Sequence, residues 1–324
     1  MRRRAIAGVV ALVCVAGFGS SATGLLGSRN LSPAAAPARV VVAASGYAGI
    51  FTVRDGALTR LDVQAPPGRL MIPPPKAGPV ANAITVGATR VWIARGRTLF
   101  GYTTDENSLV PVWTTSPRLG PGQLQIASIG TWLWAAVSGG RAVRQINVRE
   151  PMLWSAATMT TAPRLRPTVA MPAAIVGLAA TPVGVWVLMR TATGGSEVAE
   201  LRIGRSSSQV KIIATSRRAP IAISSLGGLL CVLVRGQVIW INPIAGVVVK
   251  HISVPGTVRT VSVNLGHVVV TVPSTGEVLD ISLESPAVRQ LSMVSAPVRA
   301  LVATRNGFWA STGRNATPTN YLGL

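Results

Sequence analysis

The sequence predicts an all-β fold, a β-propeller of seven blades with six as the alternative, placed after an N-terminal signal segment. A unit of strand, glycine turn, strand and hairpin recurs along the chain, and residues 84–103 are the clearest copy. No helical hydrophobic period of useful length follows the N-terminal segment. Short strands that repeat about every 40 residues are typical of radially stacked four-stranded sheets. The marker position of the repeat, its central tryptophan or the residue that replaces it, falls at Trp92, Trp134, Trp186, Cys231, Val269 and Trp309, at spacings of 42, 52, 45, 38 and 40 residues.

Residues 1–27 are the predicted secretory signal. Arg2, Arg3 and Arg4 precede an apolar run of 14 residues, and small residues follow it. A charged start, a short apolar stretch and small residues are the features of an export signal, and the run is short for a membrane span. The alternative is an uncleaved signal anchor that holds the protein to the membrane. We therefore expect a secreted or extracytoplasmic protein of the cell envelope.

Residues 28–39 are a predicted Ser/Pro/Ala linker, and residues 40–324 are the predicted propeller. Residues 64–79 are a predicted Pro-rich loop, the first unit lacks a predicted innermost strand, and the last unit stops after its third strand. These complementary deficits predict a ring closed by strands from both termini. The units begin at Val40, Ala83, Leu124, Ile175, Ile221, Thr257 and Val298.

The charge balance is strongly one-sided, with 31 Lys and Arg against 10 Asp and Glu and a net charge of +21. Nearly all of the positive charge is arginine, which is the composition that a GC-rich bacterial genome tends to encode. Cys14 lies in the predicted signal, so Cys231 has no partner for an internal disulfide. Its apolar surroundings, Leu229–Val234, predict a buried thiol.

The segments Arg90–Ala94, Gln145–Val148 and Val185–Leu188 carry the repeated pattern of a Gly turn, a Val-Trp strand and a hairpin. This pattern resembles the YVTN/NHL/streptogramin-lyase-like propeller superfamily over residues 40–324. The resemblance implies the architecture and leaves the function open among lyases, lactonases, sensors and scaffolds. Lyase-like members would imply a metal, acidic ligands and an acid/base histidine in the central channel.

The sequence offers no residues for such a channel site. His251 lies in a predicted outer strand and His267 at a predicted turn, and neither has a partner at metal-ligand spacing. No carboxylate falls in a predicted innermost strand, where a channel ligand would lie. We therefore predict no catalytic residue, no metal site and no cofactor. A lyase- or hydrolase-like enzyme with a channel site that the sequence does not reveal is the alternative.

The arginines follow a pattern that points to binding. In a propeller, the turns after each second strand and the connections between blades share one face, whereas acidic residues such as Asp105, Glu106, Glu150 and Glu284 fall on the other. An arginine-rich rim would attract carboxylates and phosphates. The predicted binding residues after second strands are Arg95, Arg97, Arg141, Arg190, Arg235 and Arg314, and those between blades are Arg118, Arg164, Arg217 and Arg218.

Together these features predict an exported, monomeric propeller that acts as a binding or scaffold module through an Arg-rich face. The expected partners are an acidic protein, an anionic envelope polymer or lipid head groups. Nucleic acid fits the charge but not secretion or the lack of loop aromatics. A membrane-held sensor or assembly factor of the envelope is a further alternative.

Overall fold

The computed structural model describes residues 42–46, 49–54, 57–61, 69–71, 81–86, 90–103, 111–130, 132–147, 163–202, 210–226, 228–264, 266–284, 288–293, 298–304, 307–312 and 320–323. The predicted signal and linker, residues 1–39, lie outside these ranges. No helix in the described part of the chain is long and apolar enough to cross a bilayer.

The described strands form seven antiparallel sheets, in which each strand pairs with the next one along the chain. Sheet 1 contains β1 (Val42–Gly46), β2 (Gly49–Arg54), β3 (Ala57–Leu61) and β4 (Arg69–Met71). Sheet 2 contains β5 (Ala81–Val86), β6 (Arg90–Arg95), β7 (Thr98–Thr103) and β8 (Pro111–Thr115). Sheet 3 contains β9 (Leu124–Ile129), β10 (Trp132–Val137), β11 (Ala142–Asn147) and β12 (Arg164–Ala170). Sheet 4 contains β13 (Ala174–Thr181), β14 (Gly184–Arg190), β15 (Ser196–Arg202) and β16 (Lys211–Ser216).

The remaining three sheets follow the same order. Sheet 5 contains β17 (Pro220–Leu226), β18 (Leu229–Val234), β19 (Gln237–Asn242) and β20 (Val247–Ser253). Sheet 6 contains β21 (Thr260–Asn264), β22 (His267–Val272), β23 (Glu277–Ser282) and β24 (Val288–Met293). Sheet 7 has three strands in the described residues, β25 (Val298–Thr304), β26 (Gly307–Thr312) and β27 (Asn320–Gly323).

The first strands of the sheets form a ring. Each of β1, β5, β9, β13, β17 and β21 contacts the first strand of the next sheet, and β25 contacts β1. The chain therefore folds into radially arranged sheets around a central axis, which confirms the predicted all-β propeller class.

The first unit differs from the sequence-based expectation. It does have an innermost strand, β1, and its outer strand β4 lies inside the stretch that read as a Pro-rich loop. The expectation that this unit lacks an innermost strand was wrong, and β4 was missed because three residues are too few to produce a recognisable alternating pattern. Within the described residues, sheet 7 has three strands and no strand of sheet 1 pairs with it, so closure of the ring by strands from both termini stays a prediction.

The core lies between successive sheets. The second strands β10, β14, β18 and β22 are buried along nearly their whole length because each sheet has a neighbour on both of its faces. This explains why they read as continuous apolar runs rather than as alternating ones. Hydroxyl groups add links between sheets: Thr85 Oγ1 lies 3.1 Å from Ser128 Oγ, and Ser225 Oγ donates to the Ala180 carbonyl at 2.7 Å.

Candidate functional site: an arginine-rich face

Antiparallel pairing decides which connections share a face. Because consecutive strands reverse direction, the turn after each second strand and the connection to the next sheet emerge at the same edge of the propeller. We call this edge the basic face, because it carries eight exposed arginines in the described residues. They are Arg97, Arg118, Arg141, Arg190, Arg217, Arg218, Arg235 and Arg259.

The structure places seven of the ten sequence-predicted residues on this face as exposed side chains. Arg97, Arg141 and Arg235 lie in the turns after β6, β10 and β18, and Arg190 ends β14. Arg118, Arg217 and Arg218 lie in the connections to β9 and β17. Arg314 lies outside the described residues.

Arg164 was assigned to the wrong edge. It is the first residue of β12 and pairs with Asn147, the last residue of β11, so it lies at the opposite face. The segment was expected to be a connection between blades, but it forms β12, which contains Pro167. An outermost strand tolerates proline, since one of its edges needs no ladder hydrogen bond. Arg166 lies in the same strand, with its guanidinium 6.0 Å from the ring centroid of Trp132.

Arg95 is buried rather than presented to solvent, with a relative exposure of only 4%. Its guanidinium lies over the ring of Phe100, 5.5 Å from the centroid. Burial raises the pKa of nearby Tyr102, and the positive charge of Arg95 partly offsets that rise. Arg95 therefore packs within sheet 2 and contributes no exposed guanidinium to the basic face.

Backbone carbonyls hold several guanidiniums of the face in place. Arg97 Nη2 donates to the Leu119 carbonyl at 3.0 Å, and Arg259 Nη1 donates to the carbonyls of Gly256 and Val258 at 3.1 and 3.0 Å. Each of these groups keeps further N–H donors for a ligand. A guanidinium that is already oriented loses less side-chain entropy when it binds a carboxylate or phosphate.

Four of these arginines lie along the junction of sheets 4 and 5. We call Arg190, Arg217, Arg218 and Arg235 the arginine cluster. Arg218 Nη1 donates to the Arg235 carbonyl at 3.1 Å, and the Arg235 amide donates to the Ala219 carbonyl at 2.9 Å. These bonds clamp the connection between the two sheets onto the β18–β19 turn.

The other side of the cluster is also closely packed. Ser196 pairs with both Arg190 and Ser216, which brings the β14–β15 turn beside the connection that carries Arg217. A β-carbon at Gly195 would lie 2.5 Å from the Ser216 carbonyl oxygen and 3.4 Å from the Arg217 Cα, so the two segments nearly touch. The arginine cluster thus lies on closely packed backbone segments of sheets 4 and 5.

Few carboxylates compete for this surface. Glu277 opens β23 and Glu197 is the second residue of β15, so both lie near the basic face and are half-buried. Neither forms an ion pair with an arginine of the face among the described residues. The positive charge there is left for a ligand to neutralise.

The opposite face contains two charge clusters that sequence spacing did not reveal. Asp280 is fully buried and accepts hydrogen bonds from Arg289 Nε at 2.8 Å and, with the Nδ1 proton on the ring, from His267 Nδ1 at 2.9 Å. Arg289 Nη2 also lies 2.8 Å from the Asp280 carboxylate. Glu200, equally buried, lies 2.8 Å from Arg202 Nε. Arg202 is 2 residues from Glu200 in the sequence, whereas Arg289 and His267 are 9 and 13 residues from Asp280. Only the cross-strand register brings these two more distant residues into contact with Asp280.

These clusters change the expected character of the opposite face. Asp105, Glu106 and Glu150 lie outside the described residues, and Glu284 is exposed there as expected. The buried acids form ion pairs with Arg202 and Arg289, Asp280 also hydrogen-bonds with His267, and neither acid contributes to a free acidic surface. No group of three or more His, Cys, Asp or Glu side chains in the described part of the chain is placed to hold a metal ion.

No protein-family model and no curated protein matches the chain. Solved structures match at the level of fold. The WD40 domain of Neurospora crassa Pan2 aligns with a TM-score of 0.53 and 9% identity over 84% of this chain and 82% of that one. A chain of the mitotic checkpoint complex aligns with a TM-score of 0.60 and 12% identity over 90% of this chain and 97% of that one. Kluyveromyces lactis Hsv2 aligns with a TM-score of 0.57 and 9% identity over 81% of this chain and 85% of that one.

These similarities concern architecture, because identities of 9 to 12% carry no residue-level equivalence. They include WD40 propellers and do not single out the YVTN/NHL superfamily to which the repeat pattern was compared. Together with the ring of sheets, they establish that the chain has the fold of a β-propeller.

Proposed function

We propose that this protein is an exported binding module whose basic face holds an anionic or acidic partner. The observation that carries the proposal is the set of eight exposed arginines at one edge of the propeller with no ion-paired carboxylate among the described residues. Propellers with similar folds include WD40 domains, a class that commonly serves as an interaction scaffold, which supports a binding role. Export rests on the N-terminal sequence pattern.

The partner is an acidic protein or an anionic envelope polymer or lipid surface. Arginine forks bind carboxylate and phosphate oxygens in pairs, and several forks in a row favour a ligand with repeated negative charges. A net charge of +21 adds long-range attraction that speeds encounter and weakens as salt is added. The arginine cluster is the part of the face where we place the strongest contacts.

The test compares two variants that lose the same charge. Arg190→Gln/Arg217→Gln removes two cluster guanidiniums, and the control Arg164→Gln/Arg166→Gln removes two exposed guanidiniums from β12. Binding to poly-L-glutamate and to vesicles containing phosphatidylglycerol is measured at low and moderate salt. We expect the cluster variant to bind about tenfold more weakly, since an exposed charge contact contributes about 0.5–1 kcal/mol.

The control variant should keep most of the wild-type affinity. Equal loss in both variants would show that net charge, rather than the basic face, determines binding. Wild-type protein that binds neither probe at low salt would overturn the proposal.

A further inference from the structure

A second surface stands out on the outer strands of sheets 4 and 5, away from the basic face. Four of the five large apolar side chains that are exposed in the described residues lie here. We call them the apolar strip: Ile212 at 40% exposure, Ile244 at 70%, Val247 at 51% and Val249 at 47%. Scattered exposed apolar residues are ordinary, but a local concentration of them marks an interaction surface.

The local backbone holds this strip in its exposed position. Asn242 Oδ1 accepts hydrogen bonds from the amides of Ile244 and Ala245 at 3.0 and 3.1 Å, which fixes the turn before β20. The Gly246 amide donates to the Asn242 carbonyl at 2.8 Å. Ile244 therefore projects from an ordered turn.

The two outer strands are also joined. β16 and β20 are in contact, and Gly246 packs against the neighbouring sheet with φ of +64°. A β-carbon at that position would lie 3.6 Å from Ile213 Cδ1, Lys211 Nζ and Glu200 Oε2. The strip thus extends across a contact between two sheets.

β20 itself is an open strand edge. It pairs with β19 on one side and, among the described strands, with none on the other. Exposed edges are usually protected by proline, by charge or by shortness. β8 begins with Pro111, β12 contains Pro167 with two arginines, and β4 has three residues, whereas β16, β20 and β24 contain no proline. Of these three strands, β20 is the longest, with seven residues, and it has two exposed valines.

β20 does contain a bulge, which can protect a strand edge, but the fourth strands of the other sheets with a register shift have one too. The register between third and fourth strands shifts once in each of sheets 2 to 6, and in sheet 5 the shift leaves Val249 as an extra residue. Beyond this bulge, residues 250–253 continue in regular pairing with β19. That segment can accept another strand through its free backbone groups.

The charges around the strip indicate what such a strand would carry. Lys211 is exposed beside Ile212, and Lys250 is half-buried within β20. Glu200 lies beside Gly246 at the strip, and this carboxylate is buried and paired with Arg202. Acidic side chains on an incoming strand would therefore meet lysines, and apolar side chains would cover Val247 and Val249.

We propose that β20 is a docking edge for an extended segment of a partner protein in which apolar and acidic residues alternate. The segment adds to sheet 5 as a fifth strand, through backbone hydrogen bonds to residues 250–253. A lipid surface would cover the valines but would supply no backbone partners for the open edge, so the strand geometry favours a polypeptide.

The experiment uses the full chain and a ten-residue peptide that alternates valine and glutamate, labelled for fluorescence anisotropy. A peptide that alternates valine and lysine is the probe control. Val247→Asp/Val249→Asp removes the apolar contact and adds repulsion at exposed positions, so the fold should remain intact by circular dichroism. We expect this variant to bind the Val/Glu peptide at least tenfold more weakly than wild type.

The variant Arg190→Gln/Arg217→Gln tests whether the peptide binds at the strip rather than at the basic face. We expect this variant to bind the Val/Glu peptide more tightly than the strip variant does. Amide hydrogen exchange of residues 250–253 should slow when the peptide is bound. Absence of peptide binding at millimolar concentration, or binding that the strip variant leaves unchanged, would overturn the proposal. A third result would also overturn it. The strip variant would lose binding to phosphatidylglycerol vesicles, while the peptide would not slow amide exchange in residues 250–253 of the wild-type protein.

Discussion

The indole ring of Trp92 lies directly over Gly101, its cross-strand neighbour in sheet 2. A β-carbon on Gly101 would come within 2.7 Å of Trp92 Cζ3 and 2.8 Å of Cη2, so glycine is the residue that leaves room for the ring. Sheet 5 solves the same problem in reverse, because Cys231 at the marker position pairs with Trp240 on the third strand. In these two sheets the pair therefore places one indole beside a small residue, whichever of the two strands supplies it.

Gly101→Ala should destabilise the protein by about 1–3 kcal/mol, because the added methyl group must displace a packed indole. Chemical denaturation monitored by tryptophan fluorescence measures the change. Gly120→Ala is the matched control, since a β-carbon there would meet nothing within 4 Å. An effect of Gly101→Ala no larger than that of the control would contradict the packing explanation.

Asp280→Asn should lower the free energy of unfolding by about 2–3 kcal/mol. The substitution keeps the shape of the side chain but weakens two charge-assisted hydrogen-bond partnerships at a fully buried site. Urea denaturation provides the measurement. Glu284→Gln, at an exposed carboxylate of the same sheet, should change stability by less than about 0.5 kcal/mol. Similar values for the two variants would mean that the buried cluster adds little.

The Cys231 thiol should resist alkylation in the native protein. It is fully buried, and burial raises the pKa of the thiol, so the reactive thiolate is scarce at neutral pH. Iodoacetamide labelling, followed by mass spectrometry in a Cys14→Ser background, should be slow in buffer and fast in denaturant. Rapid labelling of the native protein at pH 7 would show that the site opens readily.

The raised pKa of the Cys231 thiol also makes the stability of the protein depend on pH. The folded protein keeps the thiol proton above about pH 8.5, where the unfolded chain begins to release it. The stabilising contribution of this group is complete below that pH and declines as pH rises above it. A Cys231→Val variant should lack this part of the alkaline decline in urea midpoint.

The predicted features that the structure confirms are those encoded locally. The apolar second strands, the buried Cys231 and the outer-strand position of His251 all follow from residue order within one strand. The placement of Arg190 and Arg235 follows from counting strands within a unit. Antiparallel pairing of consecutive strands needs only short loops, so local order carries over directly into the fold.

The errors arose where a residue's environment depends on its neighbours across a sheet. Arg95 follows the apolar run of β6 and was expected at the surface, yet it turns onto Phe100 inside sheet 2. Arg164 lies at the opposite face from the one expected, because Arg164–Ala170 is a strand rather than a connection. The contact between His267 and Asp280 depends on a register that no spacing rule displays.

By itself, the sequence determined the class of this protein: repeated short strands, glycine turns and apolar second strands that can be buried only by stacking sheets radially. It also determined that the exposed charge would be mainly arginine, since few acids are present to balance it. The tertiary structure alone decided which arginines lie at the junction of sheets 4 and 5, which acids are paired inside the sheets and which outer strand exposes apolar side chains at its edge. Those outcomes depend on register and on contacts between sheets, where a shift of one residue moves a side chain to the other face.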